Sequence, residues 1–231
     1  MVVTGASRGI GRATAAWFVD NADRVVAISS SGAAVEGAAL SVPCDVSSSE
    51  AVDAAFDAVE RDLGGCEVLV ANAGITSDQL AVRMRDEEWQ RVLDVNLTGS
   101  FLCARRALRR MIRARSGRII LVSSVGAFVG LPGQANYAAS KAGLVGLARA
   151  LAREVGSRSI TVNVVAPGLV DTEMTAALGA ERLGLLAAQV PLGRIAVPSE
   201  VAGLVGFLAS PAAAYVTGAV VPIDGGLSMG M

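Results

Sequence analysis

Short apolar runs alternate with longer segments of helical period from one end of this chain to the other. The runs are Val2–Thr4, Arg24–Ile28, Ala39–Cys44, Glu67–Ala71, Arg118–Val122, Ile160–Val165 and Ala219–Ile223. Between them lie Arg12–Asp20, Ser47–Asp62, Asp86–Arg115, Asn136–Val155 and Ser199–Leu208, which read as helices. Strands separated by helices in this way predict a parallel sheet with helices on both faces, an α/β architecture. Ser47 and Glu50 are spaced as a capping box for the second helix. Asp86–Arg115 reads as one unbroken helix. Ala33–Gly37 reads as a surface connection. Ala176–Gly184, weakly patterned and set between Pro167 and Pro191, is a candidate for a mobile lid. No repeat or linker divides the 231 residues, so one domain over 1–231 is expected.

Composition narrows the function. A hydrophobic fraction of 52% supplies a large core, and a net charge of −1 gives no basic field for nucleic acid. Ile119–Ser140 and Val201–Ile223 carry no charged residue and are long enough to span a bilayer. The first contains Pro132, Gln134 and Asn136, and the second breaks at Ser210-Pro211. Both read as buried strands joined to helices, and no membrane span is expected. The first residues lack a charged-then-apolar leader pattern, so a cytoplasmic location is expected. There is no histidine, which excludes histidine-based triads and histidine metal ligands. The three cysteines, Cys44, Cys66 and Cys103, form no Cys-x-x-Cys pair and read as small buried apolar residues, so no metal is expected.

Two groups of residues carry chemistry. Thr4-Gly5-Ala6-Ser7-Arg8-Gly9-Ile10-Gly11 joins the first strand to the first helix. A glycine-rich turn there lets backbone N–H groups approach a pyrophosphate at a helix N-terminus. Sites that prefer NAD place an acid at the end of the second strand, about 20 residues on. Here that place holds Ser29-Ser30-Ser31, and Arg8 adds a positive charge beside the same pocket. NADPH is therefore the expected cofactor. The second group is Tyr137 and Lys141, four apart on one helix face, with Ser124 just after a buried strand. A phenol ordinarily titrates at about pH 10, so acid–base work at neutral pH calls for a neighbour that stabilises the phenolate. Lys141 is expected to do this. Of twenty basic residues it is the single lysine, so the position is read as needing a compact ammonium.

With these residues in view, the chain resembles the short-chain dehydrogenase/reductase family over essentially its whole length. Asn72-Ala73-Gly74 resembles the family's Asn-Asn-Ala-Gly segment, with Ala71 in the first place. Asp45-Val46 resembles the pair beside adenine, and Asn96 in Val95–Gly99 the catalytic Asn. Pro167-Gly168-Leu169-Val170 with Thr172 resembles the stretch against the nicotinamide, and Ile223–Gly226 the terminal motif. Gly133–Tyr137, Leu151–Val155 and Ile160–Gly168 are most similar to the 3-oxoacyl-[acyl-carrier-protein] reductases, and Met229-Gly230 to their actinobacterial members.

The resemblance implies one doubly wound Rossmann-like domain with a seven-stranded parallel sheet, assembled as a homotetramer through Asp86–Arg115 and Asn136–Val155. It implies reduction of a 3-oxoacyl thioester in fatty acid biosynthesis. Asn96, Ser124, Tyr137 and Lys141 would be catalytic. Gly5, Ala6, Ser7, Arg8, Ile10, Ser30, Asp45, Val46, Asn72, Ala73, Gly74, Tyr137, Lys141, Pro167, Gly168, Val170 and Thr172 would hold the cofactor. Acyl carrier protein is the expected partner. Seven arginines between Arg105 and Arg118 form a basic patch, with Arg106, Arg109, Arg110 and Arg113 on one helical side and Leu102, Leu108, Met111 and Ile112 toward the core. Arg115 and Arg158 resemble carrier contacts of that group. The same residues also admit a reductase of a free ketone, sugar or coenzyme A ester, and a cofactor-binding regulator without turnover.

Overall fold

The computed structural model describes residues 1–21, 23–176 and 179–229. Seven strands form one parallel sheet: β1 Val2–Thr4, β2 Val26–Ser29, β3 Leu40–Pro43, β4 Val68–Ala71, β5 Gly117–Val122, β6 Ile160–Pro167 and β7 Val220–Ile223. Their order is β3-β2-β1-β4-β5-β6-β7. Every pairing is parallel, for example Val3↔Ala27 and Leu121↔Val164. The order reverses between β1 and β4, which opens a crevice at the carboxyl edge of the sheet.

Alternation along each strand sends residues to opposite faces. Ile119 and Leu121 of β5 enter a core shared with Phe56, Leu102, Leu144 and Val164. Ile120 and Val122 enter the opposite core, with Val3, Phe18, Val201 and Val205. The first core is covered by α2 (Ser49–Leu63), α4 (Gly99–Ala114) and α6 (Ala135–Val155), the second by α1 (Gly9–Asp20) and α9 (Pro198–Ala209). The uncharged stretches resolve into β5, α5 (Gly126–Val129) and the start of α6, and into α9 and β7. No helix among the described residues is long and apolar enough to cross a membrane.

Three local expectations need correction. The cap of α2 is Ser48, whose hydroxyl accepts from Ala51 N–H at 3.1 Å. Ser47 instead donates its hydroxyl to Asp45 at 2.7 Å. Asp86–Arg115 is not one regular helix: α3 (Asp86–Leu93) passes through a π-helical turn, Asp94–Thr98, into α4. The wide turn is tied down by Asn96, whose amide bonds lie off the helix. Such one-turn π insertions cluster at functional sites. Ile112 is exposed, not turned to the core. Of the lid candidate, Ala177 and Leu178 lie outside the described residues, as does Gly230. The described neighbours are α7 (Glu173–Ala176) and α8 (Ala180–Ala187).

Candidate active site

A cleft of about 860 Å³ opens where the strand order reverses. Its floor is the glycine turn. Gly5 and Gly9 have φ of +65° and +52°, in the region that side chains avoid. Gly11 is needed for a different reason: a Cβ there would lie 2.2 Å from the Gly5 carbonyl oxygen. The turn is held from β4. Thr4 Oγ1 accepts from Asn72 N–H and Ala73 N–H, each at 3.0 Å, and Asn72 Nδ2 donates to the Thr4 carbonyl at 3.0 Å. α1 begins at Gly9 without a side-chain cap from Arg8. Its first N–H groups therefore open on a cleft that Ser7, Arg8, Gly9 and Ile10 line. An uncapped helix start beside a turn with glycine at positions 5, 9 and 11 fits a pyrophosphate. This donor set suits a dinucleotide.

Most expected cofactor residues share this one cleft. Gly5, Ser7, Arg8, Ile10, Ser30, Asp45, Val46, Asn72, Ala73, Gly74, Tyr137, Lys141, Pro167, Gly168, Val170 and Thr172 all line it, with Ser124. Ala6 does not. It is buried in the core, and its N–H is donated to the Ile28 carbonyl at 3.1 Å, so it has none to offer a phosphate. Ser29 and Ser30 line the cleft at the end of β2 with no carboxylate in that place; Ser29 is buried and Ser30 exposed. Asp45 accepts from Ser47 N–H at 3.0 Å and from its hydroxyl, and these bonds hold the carboxyl below its ordinary value. Gly168 is pressed against Asp224: a Cβ on Gly168 would lie 2.8 Å from Asp224 Cα. The terminal motif thereby buttresses the loop after β6.

Ser124 follows β5, and Tyr137 and Lys141 lie one turn apart on α6. Ser124 and Tyr137 meet beside Gly126, whose N–H donates to the Ser124 hydroxyl at 3.1 Å. The Lys141 ammonium donates to the Val122 carbonyl at 2.8 Å and sits 5.7 Å from the Tyr137 ring centre. The Ser123 hydroxyl donates to the Lys141 carbonyl at 2.8 Å, which fixes this part of α6 to the end of β5.

The electrostatics differ from expectation. Burial pushes the Tyr137 phenol above its usual value, and the Ser124 hydrogen bond offsets only part of this. Burial pulls Lys141 down to about 8. The reason is shared: each group sits in a medium that disfavours its charged form. The Lys141 ammonium also spends a hydrogen bond on Val122.

Asn96 is fully buried and does not reach the cleft wall. Its Oδ1 accepts from Ile75 N–H at 2.8 Å, and its Nδ2 donates to the Ile75 carbonyl and the Ser140 hydroxyl, both at 3.0 Å. It ties the π-helical turn to the loop after β4 and to α6. Sequence reasoning missed Glu87, Gln90 and Arg91, which put one face of α3 on the cleft, and Asp94, which opens the π-helical turn there. Their spacing was visible, but a polar stripe on a helix ordinarily reads as a solvated face. The arginine patch is also divided. Arg106 is buried, with 6% of its side chain exposed, and ion-paired to α2, whereas Arg115 and Arg158 are exposed.

The family model described as enoyl-(acyl carrier protein) reductase matches residues 5–228. The 3-oxoacyl-[acyl-carrier-protein] reductase MabA of Mycobacterium tuberculosis H37Rv is 48% identical over all of this chain and 93% of its own length. The 3-oxoacyl-[acyl-carrier-protein] reductase FabG of Pseudomonas aeruginosa is 50% identical over 99% of this chain and 96% of its own length. FabG of Escherichia coli K12 is 44% identical over the same shares. The glycine cradle, the Ser124–Tyr137–Lys141 group and this full-length likeness place the chain, an oxidoreductase, in the short-chain dehydrogenase/reductase family.

Proposed function

We propose that this protein reduces the ketone of a 3-oxoacyl thioester to the 3-hydroxyacyl thioester, with NADPH as reductant, in cytoplasmic fatty acid biosynthesis. The observation that carries the reading is the convergence of two hydroxyls, Ser124 and Tyr137, beside the buried Lys141 on the wall of the dinucleotide cleft. Gly5, Ser7, Arg8 and Ile10 would hold the cofactor's pyrophosphate, and Pro167, Gly168, Val170 and Thr172 its nicotinamide end. Bound there, the cofactor supplies a hydride for the ketone carbon.

The remaining chemistry belongs to the chain. Ser124 donates a hydrogen bond to the ketone oxygen and orients it. Tyr137, whose burial favours the neutral phenol, donates the proton to that oxygen as it becomes an alkoxide. Lys141 stabilises the phenolate left behind and the ribose. Asn96 holds the π-helical turn against Ser140 and Ile75, and supports the water relay through which the site is reprotonated. The matching family model is described by enoyl reduction, but two O–H donors on one oxygen suit a carbonyl. A carbon–carbon double bond takes its proton on carbon. Assay of a 3-oxobutyryl thioester against a free ketone, a sugar and an enoyl thioester tests the reading; activity confined to the others would reject it.

Cofactor choice rests on the absence of an acid at the end of β2. Ser30→Asp places a carboxylate on the cleft where it meets the adenosine ribose. The expected result is a switch in catalytic efficiency from NADPH toward NADH of about tenfold or more. Equal efficiency with both cofactors in the unaltered protein would contradict the argument.

Acyl carrier protein is the proposed partner, with Arg115 and Arg158 as docking residues on a homotetramer. Both precede the amino ends of β5 and β6, whereas Ser124 and Pro167 stand at or beyond the carboxyl ends. Six residues of β5 span about 20 Å. A carrier seated on these arginines would therefore lie about 20 Å from the cleft of the same copy. Arg115→Glu with Arg158→Glu should slow reduction of a carrier-bound substrate, most at low salt, and leave a small cysteamine thioester unaffected. Equal loss on both substrates would point instead to damaged assembly.

A further inference from the structure

We infer that Arg106 is a positioning residue for the adenosine wall of the cleft, acting through α2; this rests on the nicotinamide-dependent reading above. Arg106 lies on α4 with only 6% of its side chain exposed. Its Nε is 3.3 Å from Asp53, and its two terminal nitrogens bond Asp57 and Glu60. Arg109 approaches Asp53 at 3.8 Å, and Arg105 donates to the Ser49 hydroxyl at 3.1 Å. Ser49, Asp53, Asp57 and Glu60 are spaced as one face of α2. Three arginines of α4 thus fasten that face from its first residue to its last turn.

The fastening bears on the cleft because α2 grows directly out of its wall. Asp45 and Val46 line the cleft, and the Asp45 carbonyl accepts from Ser48 N–H at 3.1 Å, one residue before α2. Val46 sits on Gly99 at the start of α4, where a Cβ would lie 2.8 Å from Val46 Cγ2 and 3.0 Å from its carbonyl oxygen. Gly99 follows the π-helical turn that Asn96 anchors. A slide of α2 along α4 is therefore passed to Asp45 and Val46, while Ser124, Tyr137 and Lys141, on β5 and α6, stay in place. The same geometry withdraws Arg106 from the basic patch, while Arg105 and Arg109 stay exposed at the edge of the contact.

The test is a calorimetric titration with NADPH, with turnover and melting temperature measured alongside. Arg106→Leu should raise the NADPH dissociation constant about tenfold, because three carboxylates lose their shared partner, with kcat at saturating cofactor within about twofold. Arg106→Lys keeps the charge but cannot reach three carboxylates at once, and should fall between. Asp57→Asn with Glu60→Gln, at an exposed and a half-buried position, should weaken binding about threefold and decides the matter if Arg106→Leu does not fold. Unshifted NADPH affinity in these variants, whatever their melting temperatures, would overturn the assignment of Arg106 alone. An unaltered protein that binds no nicotinamide nucleotide would overturn the reductase reading, and this inference with it.

Discussion

Tyr137→Phe lowers turnover of a 3-oxoacyl thioester by about 10²–10⁴-fold, the range of a general acid, and leaves NADPH affinity nearly unchanged. The phenol stands beside Ser124 on the cleft wall, and the substitution removes its oxygen without changing the packing of the ring. Steady-state kinetics with cofactor titration reads both quantities. A variant with half the original turnover would show that another group delivers the proton. The same site sets a pH limb. Lys141 is held at about 8, so its ammonium is lost as the pH rises above that value, and turnover should fall there. Unfolding does not explain such a fall. A lysine whose folded pKa is below its unfolded value binds more protons when unfolded between pH 8 and 10.5, so its contribution to stability rises with pH across that window. A pH–rate profile flat to pH 10 would contradict the role of the ammonium.

Gly11→Ala is expected to weaken NADPH binding by about 10²-fold, the upper end of what overpacking costs. The added carbon would lie 2.2 Å from the Gly5 carbonyl oxygen and 2.5 Å from Asn72 Nδ2. Neither neighbour can yield freely. Gly5 is fixed by the turn, and Asn72 is bonded to the Thr4 carbonyl, so the cradle itself must open. The effect should appear in binding before it appears in kcat. Unaltered affinity, measured by calorimetry, would mean that the glycine turn does not form the phosphate floor.

How much of this was legible in the chain follows from what each pattern encodes. Seven apolar runs between helical segments specify a parallel sheet almost uniquely, because strand alternation sends Ile119 and Leu121 one way and Ile120 and Val122 the other. Gly5, Gly9 and Gly11 were visible as a motif, but their separate reasons, two backbone conformations and one close approach, belong to three dimensions. Helical periodicity does not register a single widened turn, so the π-helical segment around Asn96 passed as regular helix. Arg106 was counted with its exposed neighbours because i, i+3 spacing shows which residues share a face and not what covers that face. The carboxylates that cover it stand on α2, some fifty residues earlier. The ionisation of Tyr137 and Lys141 was misjudged for a related reason. The four-residue spacing shows proximity, whereas burial, which governs both groups here, depends on β5, α5 and the loop after β4.

In the proposed mechanism Ser124, Tyr137 and Lys141 act on a carbonyl oxygen. The most direct measurement offers the purified protein NADPH with a 3-oxobutyryl thioester and, separately, with the but-2-enoyl thioester of the same carrier, and follows nicotinamide oxidation and product. Oxidation matched by 3-hydroxybutyryl product is expected with the first substrate and none with the second. Oxidation with the enoyl thioester alone, or with neither, would contradict this mechanism.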